Sequence, residues 1–219
     1  MIRSRIPEAR PLPAVDRLGF HQCCLLETSM TTRGIYLAGP DVFFPNAIDV
    51  LAAKKALCAR YGYLGLPPLD VELSATGKPN AGSIFARNLA LMRRADLIIA
   101  NLTPFRGVSA DPGTVFELGW FHGAGKLVYG YSNVAAPFEM RIAAAFAPIA
   151  DGPAERKLAN DGMAIEGFGL GDNLMIDESL RPLGGLVRPA DAQDRPIDDL
   201  KLFEECLKRL DESTQPARL

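Results

Sequence analysis

Residues 110–125 read ADPGTVFELGWFHGAG, and one of them carries a charge into apolar company. Glu117 lies between Phe116 and Leu118, with Trp120 and Phe121 close behind. A carboxylate in such surroundings is poorly solvated. Burial raises its pKa, and its charge is costly unless hydrogen bonds hold it. Such a group is a candidate nucleophile or general base. Read alone, a glutamate on a helix is equally a solvated or paired surface charge. Six residues earlier stands Asp111, a second carboxyl and a good helix N-cap. The cap and a chemical role are compatible, since one oxygen can accept a backbone N–H while the other stays available. Gly113 at i−4 and Phe121 at i+4 share the face of Glu117, and the small Gly113 leaves room for a ligand to approach.

These residues need a scaffold, and the pattern of the chain supplies one. Asp111, Pro112 at the first helical position and Gly125 after the end bound a helix. The runs GIYLAG (34–39), YLGLPPLD, ADLIIANLT around 97–101 and KLVYGY (126–131) read as short apolar strands. Their lack of alternation implies burial on both faces, as in a parallel sheet. A helix over about 47–61 opens at Asn46 or Asp49, ends at Gly62, and places Ile48, Leu51, Ala52, Lys55 and Ala56 at helical spacings. Another runs from a Ser83 cap to about Arg94, with Ile84, Leu91 and Met92 as core candidates. Further helices are expected over 135–147, near Pro137, and from Asp198 to Leu210 with Leu200, Phe203, Leu207 and Leu210 on one face. Residues 148–195, rich in Gly, Pro, Asp and Ala, read as a long irregular insert. The alternation of strands and helices implies a doubly wound α/β sheet. Such sheets bind ligands outside the carboxyl ends of their strands. Residues 36–41, including Tyr36, Gly39 and Asp41, therefore converge with 101–111 and the start of the Pro112 helix on one crevice. Phe43 and Phe44, just beyond, suit a lid that stacks on a flat ring, while Trp120 and Phe121 suit the core. Read alone, Tyr36 is also a packed strand residue and Asn88 a polar helix residue.

The totals narrow the function. With 48% apolar and 23% charged residues and a net charge of −2, the composition is that of a globular domain, with no basic excess for nucleic acid and no polybasic run for a membrane surface. No apolar segment approaches the roughly 20 residues of a membrane span. Cys23, Cys24, Cys58 and Cys206 form no CxxC pair, and only His21 and His122 accompany them, which argues against structural zinc and for reduced thiols in a cytoplasmic protein. Neither GxGxxG nor GxxxxGKS occurs, so a dinucleotide or nucleoside triphosphate site has no support. Residues 1–32 are expected to be a poorly ordered extension. Its apolar run is too short for a secretory signal, and Glu8, Asp16 and Glu27 weaken a presequence reading. Met30 opens MTTRGIYLAGP, which has the look of a natural start. Residues 33–212 then form one domain and 213–219 a tail.

Taken in order, IYLAGP, PLD, NLALMRRADLIIANLTPFRG, DPGTVFELGWFHGAGK and DNLM resemble the nucleoside 2-deoxyribosyltransferase family, over roughly residues 33–180. The resemblance implies a flavodoxin-like fold of five mainly parallel strands with helices on both faces. It implies an enzyme that exchanges nucleobases on 2-deoxyribonucleosides, without metal or cofactor. Glu117 matches the family nucleophile, Tyr36 the tyrosine that positions it, and Asp111 an aspartate that handles the proton of the base. Asn88 falls where some members carry a base-contacting aspartate, and Glu72 near a base-recognition position that is glutamine in some. Gly39, Asp41, Phe43 and Gly113 fall in segments that line the substrate. Asn173, in DNLM, matches a residue that reaches the sugar 5-hydroxyl from a neighbouring subunit, so a homo-oligomer is implied. The same scaffold also serves 2-deoxynucleoside 5-monophosphate N-glycosidases. The acidic Asp41, where a phosphate loop needs serine, backbone N–H groups or arginine, favours a free 5-hydroxyl. A non-catalytic nucleotide-sensing module is a further alternative.

Overall fold

The computed structural model describes residues 32–68, 80–153 and 156–214, all within one compact unit, Thr32–Leu219. Its centre is a parallel sheet of four strands: β1 Gly34–Ala38, β2 Leu64–Leu66, β3 Leu97–Asn101 and β4 Leu127–Tyr131, in the spatial order β2-β1-β3-β4. Five strands were expected. The place of the fifth, beside β4, is held by a single parallel bridge between Tyr131 and Val187, where Val187 donates to the Gly130 carbonyl at 3.0 Å and accepts from Ser132 at 2.9 Å.

Both faces of the sheet are covered, as the unbroken apolar strands require. Side chains alternate along β1. Ile35 and Leu37 enter a core with Cys58, Tyr131, Phe203, Cys206, Leu207 and Leu210, under α1 (Ala47–Arg60) and α6 (Lys201–Thr214). Tyr36 and Ala38 enter the other, with Met92, Ile98, Leu118, Phe121, Ile176 and Leu180, under α2 (Ala81–Arg94), α3 (Pro112–Gly123) and α5 (Leu174–Leu180). Cys58 and Cys206 are unbridged, and burial pushes both thiols up to about 12, so they serve as packing groups. No helix among the described residues is long and apolar enough to cross a membrane.

Several local expectations change. The stripe that α1 buries is Ala47, Val50, Leu51, Lys54 and Cys58, while Ile48 is 82% exposed. The face turns because Lys54 finds a carboxylate partner inside. Helix α2 starts earlier than Ser83: Asn80 is the cap, and its Oδ1 accepts the Ser83 N–H at 2.9 Å. Helix α6 runs on through Thr214, past the expected start of the tail at 213, with the Tyr129 and Tyr63 hydroxyls against Ser213 and Thr214 at 3.2 and 3.5 Å. The insert is less irregular than its composition suggests. It holds an antiparallel pair, β5 (Ala150–Asp151) with β6 (Lys157–Leu158), and the seven-residue α5, too short to display a period. The helix over Phe138–Ala145 (α4) falls where expected.

Candidate active site

The site forms where β1 faces the second turn of α3. Tyr36 sits in mid-strand with no exposed surface, its ring stacked on Phe121 at 5.7 Å. Its hydroxyl donates to Glu117 Oε1 at 2.5 Å. Trp120 packs edge-on against Phe121 at 5.2 Å, so the apolar residues of α3 fix the tyrosine that holds the carboxylate.

Asp111 caps α3 as its sequence position requires. One carboxylate oxygen, Oδ2, accepts both the Thr114 N–H (2.9 Å) and the Thr114 hydroxyl (3.1 Å). A Cβ at Gly113 would lie 3.0 Å from that oxygen, so Gly113 keeps space for the carboxylate of Asp111. The loop before it is tied down from the far side. Asp172, 1% exposed, accepts from Ser109 Oγ (2.5 Å) and the Ala110 N–H (3.0 Å), with Arg141 Nη2 3.5 Å away. Arg141 also donates to the carbonyls of Val108, Ala136 and Gly171.

Burial pushes the Glu117 carboxyl up to about 7; the Tyr36 hydrogen bond pulls it down and the Asp111 charge adds to the rise. Glu117 is thus poised to titrate near neutrality. The Tyr36 phenol is raised, first by burial and then by Glu117, so it remains a neutral donor. The Arg87 guanidinium on α2 acts on Tyr36 in the opposite sense. Beside it in sequence, Asn88 is half-buried, and among the described residues neither Asn88 Oδ1 nor Arg87 Nε has a hydrogen-bond partner although both are enclosed.

The remaining residues singled out in the sequence are distributed as follows. Gly39 ends β1, and Phe43 lies on the short 3-10 turn Pro40–Phe43, 56% exposed and stacked on Phe105 at 5.4 Å beneath the Arg106 guanidinium. Asp41 on that turn is 1% exposed and paired inward with Lys54 at 2.7 Å, so its carboxylate points away from the crevice. Asn173 caps α5, with Nδ2 donating to Glu166 at 2.7 Å and Oδ1 accepting from Met175 N–H at 3.0 Å; among the described residues no contact joins it to Glu117. Glu72 lies outside the described residues. A cavity of about 760 Å3 opens between α4, the β5–β6 pair and residues 164–174, and none of Tyr36, Asp111 or Glu117 lines it; the site is assigned by its chemistry. Sequence reasoning missed Arg87, Lys54 and Asp172. For Lys54 there was a signal: it continues the stripe Val50, Lys54, Cys58 at i, i+4 spacing.

The raised carboxyl makes a stability prediction. In the unfolded chain Glu117 ionises near pH 4.5, in the folded chain near 7, so ionisation favours unfolding progressively across that window. Glu117→Gln should therefore raise the thermal midpoint above pH 7, by a gain on the order of 1–3 kcal/mol. The gain should shrink from pH 7 to 4.5 and vanish below, as followed by circular dichroism at several pH values.

Known proteins resemble this chain. The family model described as nucleoside 2-deoxyribosyltransferase matches residues 35–175. An uncharacterized protein of Schizosaccharomyces pombe is 31% identical over 167 residues, covering 70% of this chain and 79% of its own. Among solved structures, a 2-desoxiribosyltransferase from Leishmania mexicana superposes with a TM-score of 0.58 at 28% identity, covering 84% of this chain and 99% of its own. The parallel sheet with helices on both faces and these likenesses agree: the chain belongs to the nucleoside 2-deoxyribosyltransferase family.

Proposed function

We propose that this chain exchanges nucleobases between 2-deoxyribonucleosides by a retaining double displacement. One observation carries the reading: a half-buried carboxylate, raised to about 7, held at 2.5 Å by a neutral tyrosine hydroxyl and neighboured by a second carboxyl. The ionised Glu117 attacks C1 of the deoxyribose as the C1–N bond breaks, and Asp111 relays a proton from solvent to the departing base. A deoxyribosyl ester of Glu117 results. The incoming base then attacks C1, loses its proton to Asp111 and frees the carboxylate. Two inversions give net retention. The lack of a 2-hydroxyl eases positive charge build-up at C1, which favours the deoxy sugar. Phe43, exposed on its turn, and Asn88 with its unpartnered oxygen are suited to contact the base.

A second reading is hydrolysis of 2-deoxynucleoside 5-monophosphates. It gains from one observation: Asp41 is turned onto Lys54 and presents no carboxylate to repel a phosphate. Incubation with deoxyinosine, with and without adenine, separates the two. Deoxyadenosine formed only with adenine supports exchange. Base release from deoxyguanosine monophosphate without acceptor supports the glycosidase, and silence in all wells supports a sensing module. Folded Glu117→Ala should lose turnover entirely, and ordinary turnover in it would sink the nucleophile assignment.

The pH profile tests the pair. Since Glu117 must be ionised, kcat/KM should rise through an apparent pKa near 7. Tyr36→Phe removes the bond that lowers this value, so the rise should move to higher pH. An unmoved limb would contradict the role of Tyr36.

We also propose a homo-oligomer in which Asn173 completes a neighbour's site. Support comes from the apolar surface near it: Met140 and Phe168, which line a cavity with Leu174, and Met175 are 60–74% exposed. Glu117→Ala and Asn173→Ala chains, each impaired alone, should recover activity above their sum when mixed and allowed to exchange subunits. No recovery in mixed oligomers would place Asn173 in its own site.

A further inference from the structure

The charge pair under the turn after β1 is costly and has no part in the chemistry above. Lys54 and Asp41 are both 1% exposed, with Nζ and Oδ2 2.7 Å apart. The ammonium lies 5.4 Å from the Tyr131 ring centre and 5.2 Å from that of Phe203. Replacing such a pair with apolar side chains of similar volume is often neutral or stabilising, so stability alone is a weak account of it. The other buried residues of the α1 stripe, Ala47, Val50, Leu51 and Cys58, would accept an apolar side chain at 54.

The pair does fix where a segment lies. Asp41 Oδ1 accepts from Asn101 Nδ2 at 3.2 Å, across the carboxyl ends of β1 and β3. Asn101 Oδ1 accepts the Thr103 N–H (3.1 Å) and hydroxyl (2.6 Å), and Thr103 Oγ1 accepts the Asn133 N–H at 2.9 Å. The carboxylate folds back over Gly39 so closely that a Cβ there would meet Asp41 Oδ2 at 2.3 Å and Asn101 Cβ at 2.7 Å. Gly39 is three residues from Tyr36, and Phe43 is two from Asp41 on the same turn.

We propose that Lys54 is a substrate-positioning residue, acting through Asp41 to hold the Gly39–Phe44 turn and its Phe43–Phe105 stack beside the crevice of Tyr36 and Glu117. It rests on the base-exchange reading for its substrate. The ammonium touches no reacting atom. It supplies the countercharge that lets Asp41 sit buried, and the carboxylate then dictates the path of the backbone. Its loss should act on binding more than on chemistry.

The test uses the full chain and the double variant Lys54→Met/Asp41→Asn, which leaves no unpaired charge and keeps an acceptor for Asn101. Four quantities are read: the thermal midpoint, KM and kcat for deoxyinosine with saturating adenine, and amide hydrogen exchange at 42–44, where Phe44 N–H donates to the Asp41 carbonyl. The expected result is a midpoint close to wild type, KM raised about tenfold, kcat changed less than about threefold, and faster exchange at 42–44. Wild-type KM and exchange in the folded double variant would overturn the proposal. So would a fall in kcat at constant KM, or failure of the double variant to fold. A wild-type chain silent toward deoxynucleosides would sink the functional reading instead, and loosening confined to 42–44 is then read without turnover.

Discussion

A half-buried carboxylate cannot stand without a donor, and here the donor comes from the sheet. Tyr36 reaches Glu117 across the gap between β1 and α3, and the 2.5 Å bond sets what surrounds it. The spatial order places β1 next to β3, and the helix that follows β3 folds back over the same face. Phe121, one turn beyond Glu117, clamps the tyrosine ring from the helix side. Sequence neighbours that look like ordinary core thus serve the geometry of two oxygen atoms. The cost is carried by the carboxyl, which is held near 7 because the donor offsets only part of its desolvation.

Two desolvated charge pairs flank that bond. Asp41 with Lys54 secures the segment after β1, and Asp172 with Arg141 secures the segment before Asp111. Both aspartates are 1% exposed; Asp41, on the turn after β1, reaches Asn101 at the end of β3, and Asp172 reaches the Ser109 hydroxyl and the Ala110 N–H in the loop before α3. Beyond the strand ends there is no sheet ladder to hold these loops. Buried carboxylates take over that work, in the manner of caps rather than of surface ion pairs.

The sequence made the scaffold legible because each strand is a continuous apolar run and each nearby helix is well punctuated. Asp111 and Pro112 mark the start of α3 as chemistry dictates, and Tyr36 in mid-β1 meets Glu117 in the second turn of that helix. What was hidden depends on contacts made far along the chain. Lys54 reads as a surface lysine until Asp41 is folded above it, thirteen residues away. Asp172 becomes an anchor only when Ser109, 63 residues distant, arrives beside it. A strand reduced to one bridge at Val187 leaves no pattern, and a helix of seven residues leaves too little of one. Local punctuation thus gave the elements, while the polar joints between them came from the fold.

The chain Lys54–Asp41–Asn101–Thr103–Asn133 continues to the carbonyls of Pro196, Ile197 and Asp199, just ahead of α6. It therefore laces the loops of three strands to the lead-in of the last helix. For redesign this separates two sets of positions. Along the laced edge, a change at Gly39, Asp41 or Asn101 disturbs several loops at once, and variants there must be made in concert. On α2, Arg87 Nε and Asn88 Oδ1 have no hydrogen-bond partner among the described residues, so changes at those two positions should sever none of these joints.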